Sequence, residues 1–277
     1  MASLDLDYTL DSVEPMEPFD RGRRRKIRWG RGIILAAAAL YFIIPFYAAM
    51  QFSLEDIQGH FSLQPLTELF SQSGFLSATW LSTQLAVVTM VLTMLLMVPT
   101  VIYVHLRMPR FRPAMEAITT LPIIIPPIVL IVGVLEASPL WLKSSPYLLA
   151  LVYVVLAMPF VYRSLDAGLG ALDVKTLVEA SRSLGSNWFS TIVRVLVPNL
   201  RSALLSASVL TLALVFGEFT MASLDNWTTI PVWIAFAPTV NPRINTLVAM
   251  IFLLVTVVVL MLLVSFDRSQ SRRTRSN

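Results

Sequence analysis

Residues 164–199 read SLDAGLGALDVKTLVEASRSLGSNWFSTIVRVLVPN, polar enough for water yet patterned as a pair of helices. Asp173 stands where a first helix would be capped. Val174, Leu177, Val178, Ser181 and Leu184 then recur at helical spacing on one mostly apolar face, with Lys175, Glu179 and Arg182 on the other. Gly185 suits a helix stop. Ser186 or Asn187 can cap a second helix, with Trp188, Phe189, Ile192, Val193 and Leu196 as its apolar stripe and Pro198 at its end. Two short amphipathic helices meeting at a glycine predict a compact knob of a kind that fits a groove on a soluble partner.

What surrounds this stretch is far more apolar. Of 277 residues, 56% are hydrophobic and only 14% charged, where a soluble domain carries about 25% charged residues. Mean hydropathy is +0.72. Six apolar stretches approach the roughly 20 residues that cross a bilayer: 33–52, 79–104, 117–136, 146–163, 200–223 and 245–266. Lys and Arg sort between the connecting segments. Nineteen of the 21 fall before the first stretch, in 105–116, in 163–201 and in the C-terminal tail; only Lys143 and Arg243 fall elsewhere. The positive-inside rule then puts both termini and residues 164–199 in the cytoplasm. The expected chain is an all-α polytopic membrane protein. It has an acidic-then-basic tail over 1–32, a six-helix domain over 33–266 and a basic tail over 267–277.

Zero cysteines exclude disulfides, zinc–thiolate and iron–sulfur sites, and thiol catalysis. Two distant histidines, His60 and His105, suggest no metal site. No Gly-x-x-x-x-Gly-Lys-Ser/Thr phosphate loop occurs, so ATP is not bound that way. Neither His-Glu-x-x-His nor a Gly-x-Ser-x-Gly elbow occurs, which disfavours a membrane-embedded enzyme. A stand-alone secondary transporter would need its own coupling-ion site in repeated, broken helices; no repeat between the halves is evident.

Glu179-Ala180-Ser181, three residues, Gly185, nine residues, then Val195-Leu196-Val197-Pro198 resembles the Glu-Ala-Ala loop of binding-protein-dependent ABC importer permeases of type I. The spacing is ungapped. Ser181, Val195 and Val197 depart conservatively from Ala, Ile and Leu. The resemblance implies a non-enzymatic permease subunit in a bacterial cytoplasmic membrane. Its expected partners are a homologous permease, two ATP-binding subunits that hold ATP and Mg, and an external solute-binding protein. No cofactor resides in this chain. Glu179, Ala180, Ser181, Gly185 and Pro198 would couple to the ATPase. The alternative for Glu179 is a solvated charge paired with Lys175, worth ~0.3–0.5 kcal/mol. Pro99, Pro122, Pro126 and Pro127 match proline positions usual in the family, as gating bends or as static kinks.

Gly217-Glu218-Phe219, Ile230-Pro231-Val232 and Pro242-Arg243-Ile244-Asn245-Thr246 are similar to the second permease subunit of spermidine/putrescine importers. A Gly-Glu-Phe trio also occurs in permeases for oxyanions, ferric iron and thiamine. Glu218 is the one acid well inside a predicted span, roughly 7–8 Å from its outer end, and a functional candidate because burying a charge in lipid is costly. It can line a cation path or be a structural acid bonded to a neighbouring helix. Asp225, Trp227 and Trp233 can meet a polyamine by charge and cation–π contact, or the tryptophans can anchor at the membrane interface.

Overall fold

The computed structural model describes residues 23–55, 58–236 and 242–274, with side chains described from residue 32 onward except 259, 260 and 262–274. The acidic run before Arg21, Asp56 and Arg275 lie outside the described residues. The chain divides into two compact units, residues 1–48 and 49–277. The described residues of the first all belong to α1 (Arg23–Ser53), whose last five residues fall in the second and whose segment Gly32–Ser53 has a mean hydropathy of 2.2.

In the second unit, α2 (Gln64–Ser71) precedes the long α3 (Phe75–Arg107). Pro99 lies inside α3, and the helix runs on past it for two more turns until Met108 and Pro109 stop it. A short 3-10 turn, Pro109–Phe111, leads into α4 (Arg112–Ile124) and then α5 (Pro127–Ala137). The stretch expected as one span over 117–136 is thus broken, and its two halves meet at 97°. Proline disfavours the helical conformation in the residue before it. Ile125 accordingly sits at φ −81°, ψ 124° and Pro126 at φ −57°, ψ 134°. Pro122, by contrast, is buried within α4.

The short α6 (Leu140–Lys143) connects to α7 (Tyr147–Gly170). This helix extends seven residues beyond the expected end of the fourth stretch, because Leu165 and Leu169 continue its buried face at 1% and 0% exposure. Beyond it come α8 (Val174–Ser183) and α9 (Trp188–Thr191), a π turn over Ile192–Leu196, and α10 (Val197–Asn199). Next are α11 (Arg201–Gly217), α12 (Thr220–Leu224), α13 (Ile230–Phe236) and α14 (Pro242–Thr274). The fifth expected stretch, 200–223, is likewise interrupted, at Glu218 and Phe219. Among the described residues three helices are long and apolar enough to cross a membrane unbroken, or five if each bent pair counts as one span. The sixth stretch lies in α14, whose segment Pro242–Val258 is a shorter apolar helix.

Three apolar clusters line up along α3. Phe75 and Ala78 join Leu69, Ile230, Trp233, Ile244 and Val248 at one end. Leu85 and Ala86 meet Ile131, Leu149, Tyr153, Val215 and Met221 in the middle. Met97, Val101 and Ile102 meet Val161, Leu165, Leu169, Val174, Val178 and Leu196 at the other end. Between lipid-embedded helices, close packing and buried hydrogen bonds hold the structure, because lipid is as apolar as leucine. Thr89 Oγ1 donates to the Ala150 carbonyl of α7 at 3.4 Å, and the Ile230 amide donates to Ser82 Oγ at 2.8 Å. Gly168 lets α7 approach α11 so closely that an added Cβ would stand 2.6 Å from Ala203 Cβ.

Candidate functional site

The knob forms as two capped helices. Asp173 caps α8, accepting from the Thr176 amide at 3.4 Å and from Thr176 Oγ1 at 2.7 Å. Both bonds favour the carboxylate and hold its pKa below the ordinary value. Gly185 ends α8 at φ +83°, where the Gly185 amide donates to the Arg182 carbonyl and the Ser186 amide to the Ser181 carbonyl. That pair of bonds is a Schellman ending. Nothing lies within 4 Å of an added Cβ there, so the requirement for glycine is one of backbone conformation. Of the two candidate caps for the second helix, Asn187 acts: its Oδ1 accepts from the Ser190 amide at 2.8 Å.

The two helices are joined inside. Val174, Val178 and Ser181 face the core, and Ser181 Oγ lies 3.0 Å from Thr191 Oγ1. A serine in the third position of the motif therefore ties α8 to α9, which alanine could not do. The Val197 amide donates to the Ile192 carbonyl, five residues back. Pro198 does not end the second helix as expected; α10 runs to Asn199, and the 79° bend into α11 falls at Leu200.

The expected apolar faces are corrected at three positions. Leu184 is 88% exposed and Phe189 75% exposed, and Val193 points outward as well. Leu184 is the C-cap residue, thrown out by the turn at Gly185. On the second helix, positions 188, 192 and 196 take the inner face at four-residue spacing, which leaves 189 and 193 about 100° round the axis. Glu179 and Ala180 are exposed too. The Glu179 carboxylate has no ion pair with Lys175 among the described contacts. The knob thus presents Glu179, Leu184, Phe189 and Val193 on the outside of a rigid pair of helices.

At the opposite end, Glu218 lies in the break between α11 and α12. Its carboxylate accepts from the Met221 amide at 2.9 Å, from the Ala222 amide at 3.3 Å and from Tyr153 Oη at 2.9 Å. Both oxygens are occupied by the first turn of α12 and by α7. Asp225 is half-buried at the end of α12, and its Oδ2 has no hydrogen-bond partner. Trp227 packs on the middle cluster. Trp233 is 5% exposed; its Nε1 donates to the Ser73 carbonyl at 3.0 Å and its ring meets Phe75 at 5.5 Å. Beside the break, a cavity of about 560 Å³ is lined by Phe216, Gly217, Phe219, Ile230, Ile234 and Phe252, among others, and by no acid. No group of three or more His, Asp or Glu is placed to hold a metal among the described residues.

Two further groups lay outside the sequence reading. Tyr153, fully buried in α7, carried no motif. Asp166 fell beyond the expected end of the fourth stretch, and Arg112 counted only as a topological charge, yet the two form a bidentate pair. A lone acid on the continuing apolar period of α7 was the available signal.

No family model matches the sequence. In fold the chain is similar to a solved chain of a bacterial ABC transporter involved in the import of the acidic polysaccharide alginate. The match has a TM-score of 0.66 and 14% identity, over 89% of this chain and 98% of that one. This likeness shows the fold alone, an all-α arrangement shared with a chain of that transporter.

Proposed function

We propose that this chain is a permease subunit of a bacterial ABC importer in the cytoplasmic membrane, crossing it six times with both termini inside. It forms the pathway with a second permease, receives substrate from an external binding protein and is driven by two ATPase subunits. The observation that carries this reading is the knob: α8–α10 are fused to the inner cluster through Val174, Val178 and Leu196 while Leu184 and Phe189 stay exposed. Exposed apolar anchors beside charges are the usual make-up of a docking surface. On this reading ATP-driven closure of the ATPases moves the knobs, and packed helices carry that motion as rigid bodies to the outer gate. Glu179 contacts the ATPase, Gly185 sets the turn, and the breaks at Pro126 and at Glu218 are the bends that move.

For cargo we favour a polyamine, on the resemblance around Glu218 and on Asp225, a half-buried acid at the same end whose Oδ2 has no hydrogen-bond partner. Oxyanions, ferric iron and thiamine are the alternatives. The test is an affinity-tagged chain extracted from native membranes. An ATPase should copurify with it. Leu184→Asp and Phe189→Asp should each abolish that copurification, and with it uptake of radiolabelled spermidine, while the chain still inserts. Retained ATPase in both variants would exclude the knob as the docking surface. Uptake competed by molybdate or thiamine and not by putrescine would reassign the cargo.

A further inference from the structure

Arg112 is the first residue of α4, whose far end is the 97° break. Asp166 lies one turn before the end of α7, and only residues 171–173 separate that end from α8. Arg112 grips Asp166 through Nε to Oδ1 at 3.0 Å and Nη2 to Oδ1 and Oδ2 at 2.7 and 2.8 Å. One turn earlier on α7, Tyr162 Oη donates to the Arg112 carbonyl at 3.1 Å. The base of α4 is therefore bonded to the stem of the knob by both its side chain and its backbone. His105 of α3 stands beside the pair, its buried Nδ1 3.7 Å from Asp166 Oδ1 and without a hydrogen-bond partner. Beneath, Tyr162, Leu165 and Leu169 share a cluster with Val174 and Val178 of α8, and Met115 of α4 packs on it.

We infer that the Arg112–Asp166 pair is a clamp that makes α4 and the knob one rigid body, so that displacement of the knob is delivered to the break at Pro126. This rests on the permease reading for what moves the knob. Bidentate arginine–carboxylate pairs fix orientation as well as distance, which a transmitting joint requires. Arg112 and Asp166 are positioning residues: they touch neither cargo nor ATPase.

Because the chain has no cysteine, two introduced cysteines are its only labelling sites, and the same complex without them gives the background from the partner chains. Exposed Ile118 on α4 and exposed Lys175 on α8 are suitable sites. The inter-label distance would be measured by pulsed electron resonance on the copurified complex, without nucleotide and with ATP, Mg and vanadate. The clamp requires one narrow distribution that keeps its mean in both states. Asp166→Asn should broaden it and let the mean shift with nucleotide, Arg112→Lys should do so less, and the exchanged pair Arg112→Asp with Asp166→Arg should restore it. A wild-type mean that shifts with nucleotide, or an Asp166→Asn distribution identical to wild type, overturns the clamp. If no ATPase copurifies, the permease reading fails. The Asp166→Asn comparison on the chain alone then still decides whether the pair holds α4 to the knob.

Discussion

Gly185 shows how much one residue determines here. Its φ of +83° places it in the left-handed region, with open space around it. A side chain there costs about 1–2 kcal/mol by its clash with the following carbonyl. Gly185→Ala should lower stability by that amount and loosen the knob, read as a lower thermal midpoint and faster amide exchange at Ser186 and Asn187. An unchanged midpoint would mean that the turn relaxes freely. The glycine was legible in the sequence because backbone strain is local. The bond from Ser181 to Thr191 was not, since it needs two helices folded back on each other. Glu218 is the converse case. Its place inside an apolar stretch was legible, but the donors that occupy it, Tyr153 Oη and two amides, came from a helix 65 residues away and from an unforeseen break.

At the scale of elements, α8 depends on its cap. Loss of an aspartate cap costs about 1 kcal/mol. Asp173→Ala should therefore speed amide exchange in the first turn of α8, at Thr176 above all, and leave α7 unaffected. Equal protection in the variant would mean that the packing of Val174 and Val178 alone holds the helix. The bent pairs follow two different rules. The 97° break between α4 and α5 follows from consecutive prolines, a signal present in the sequence and read there only as a bend. The break at Glu218 has no proline; capping of α12 by a carboxylate stabilises it, which spacing alone does not reveal.

Across the second unit, α3 threads three clusters, and the one at its C-terminal end fuses α3, α7, α11 and the knob. The group formed by His105, Arg112, Asp166 and Tyr162 ties the same end together and makes it sensitive to acid. Burial first, and the Arg112 charge second, hold the His105 pKa below its ordinary 6.5 against the opposing pull of Asp166. Between the folded value and 6.5 the unfolded chain binds more protons. Stability is thus complete above about pH 6.5 and is lost as pH falls through the folded value. His105→Gln should flatten this part of the pH dependence, measured as the thermal midpoint of the purified chain at about pH 7.5 and about pH 5. The same slope in the variant would place the acid sensitivity elsewhere.

By itself the sequence determined that the chain is helical and apolar enough to enter a membrane, where its charges accumulate, and that residues 173–198 form two capped helices around a glycine. Those properties follow from composition, helical period and local backbone chemistry, each set within a few residues of the chain. The tertiary structure decided which side of the knob faces out, where α7 ends, which donors occupy Glu218, and that Arg112 meets Asp166. All of these are contacts between residues distant in sequence. A side chain's partner is chosen by packing, and packing depends on how neighbouring helices cross.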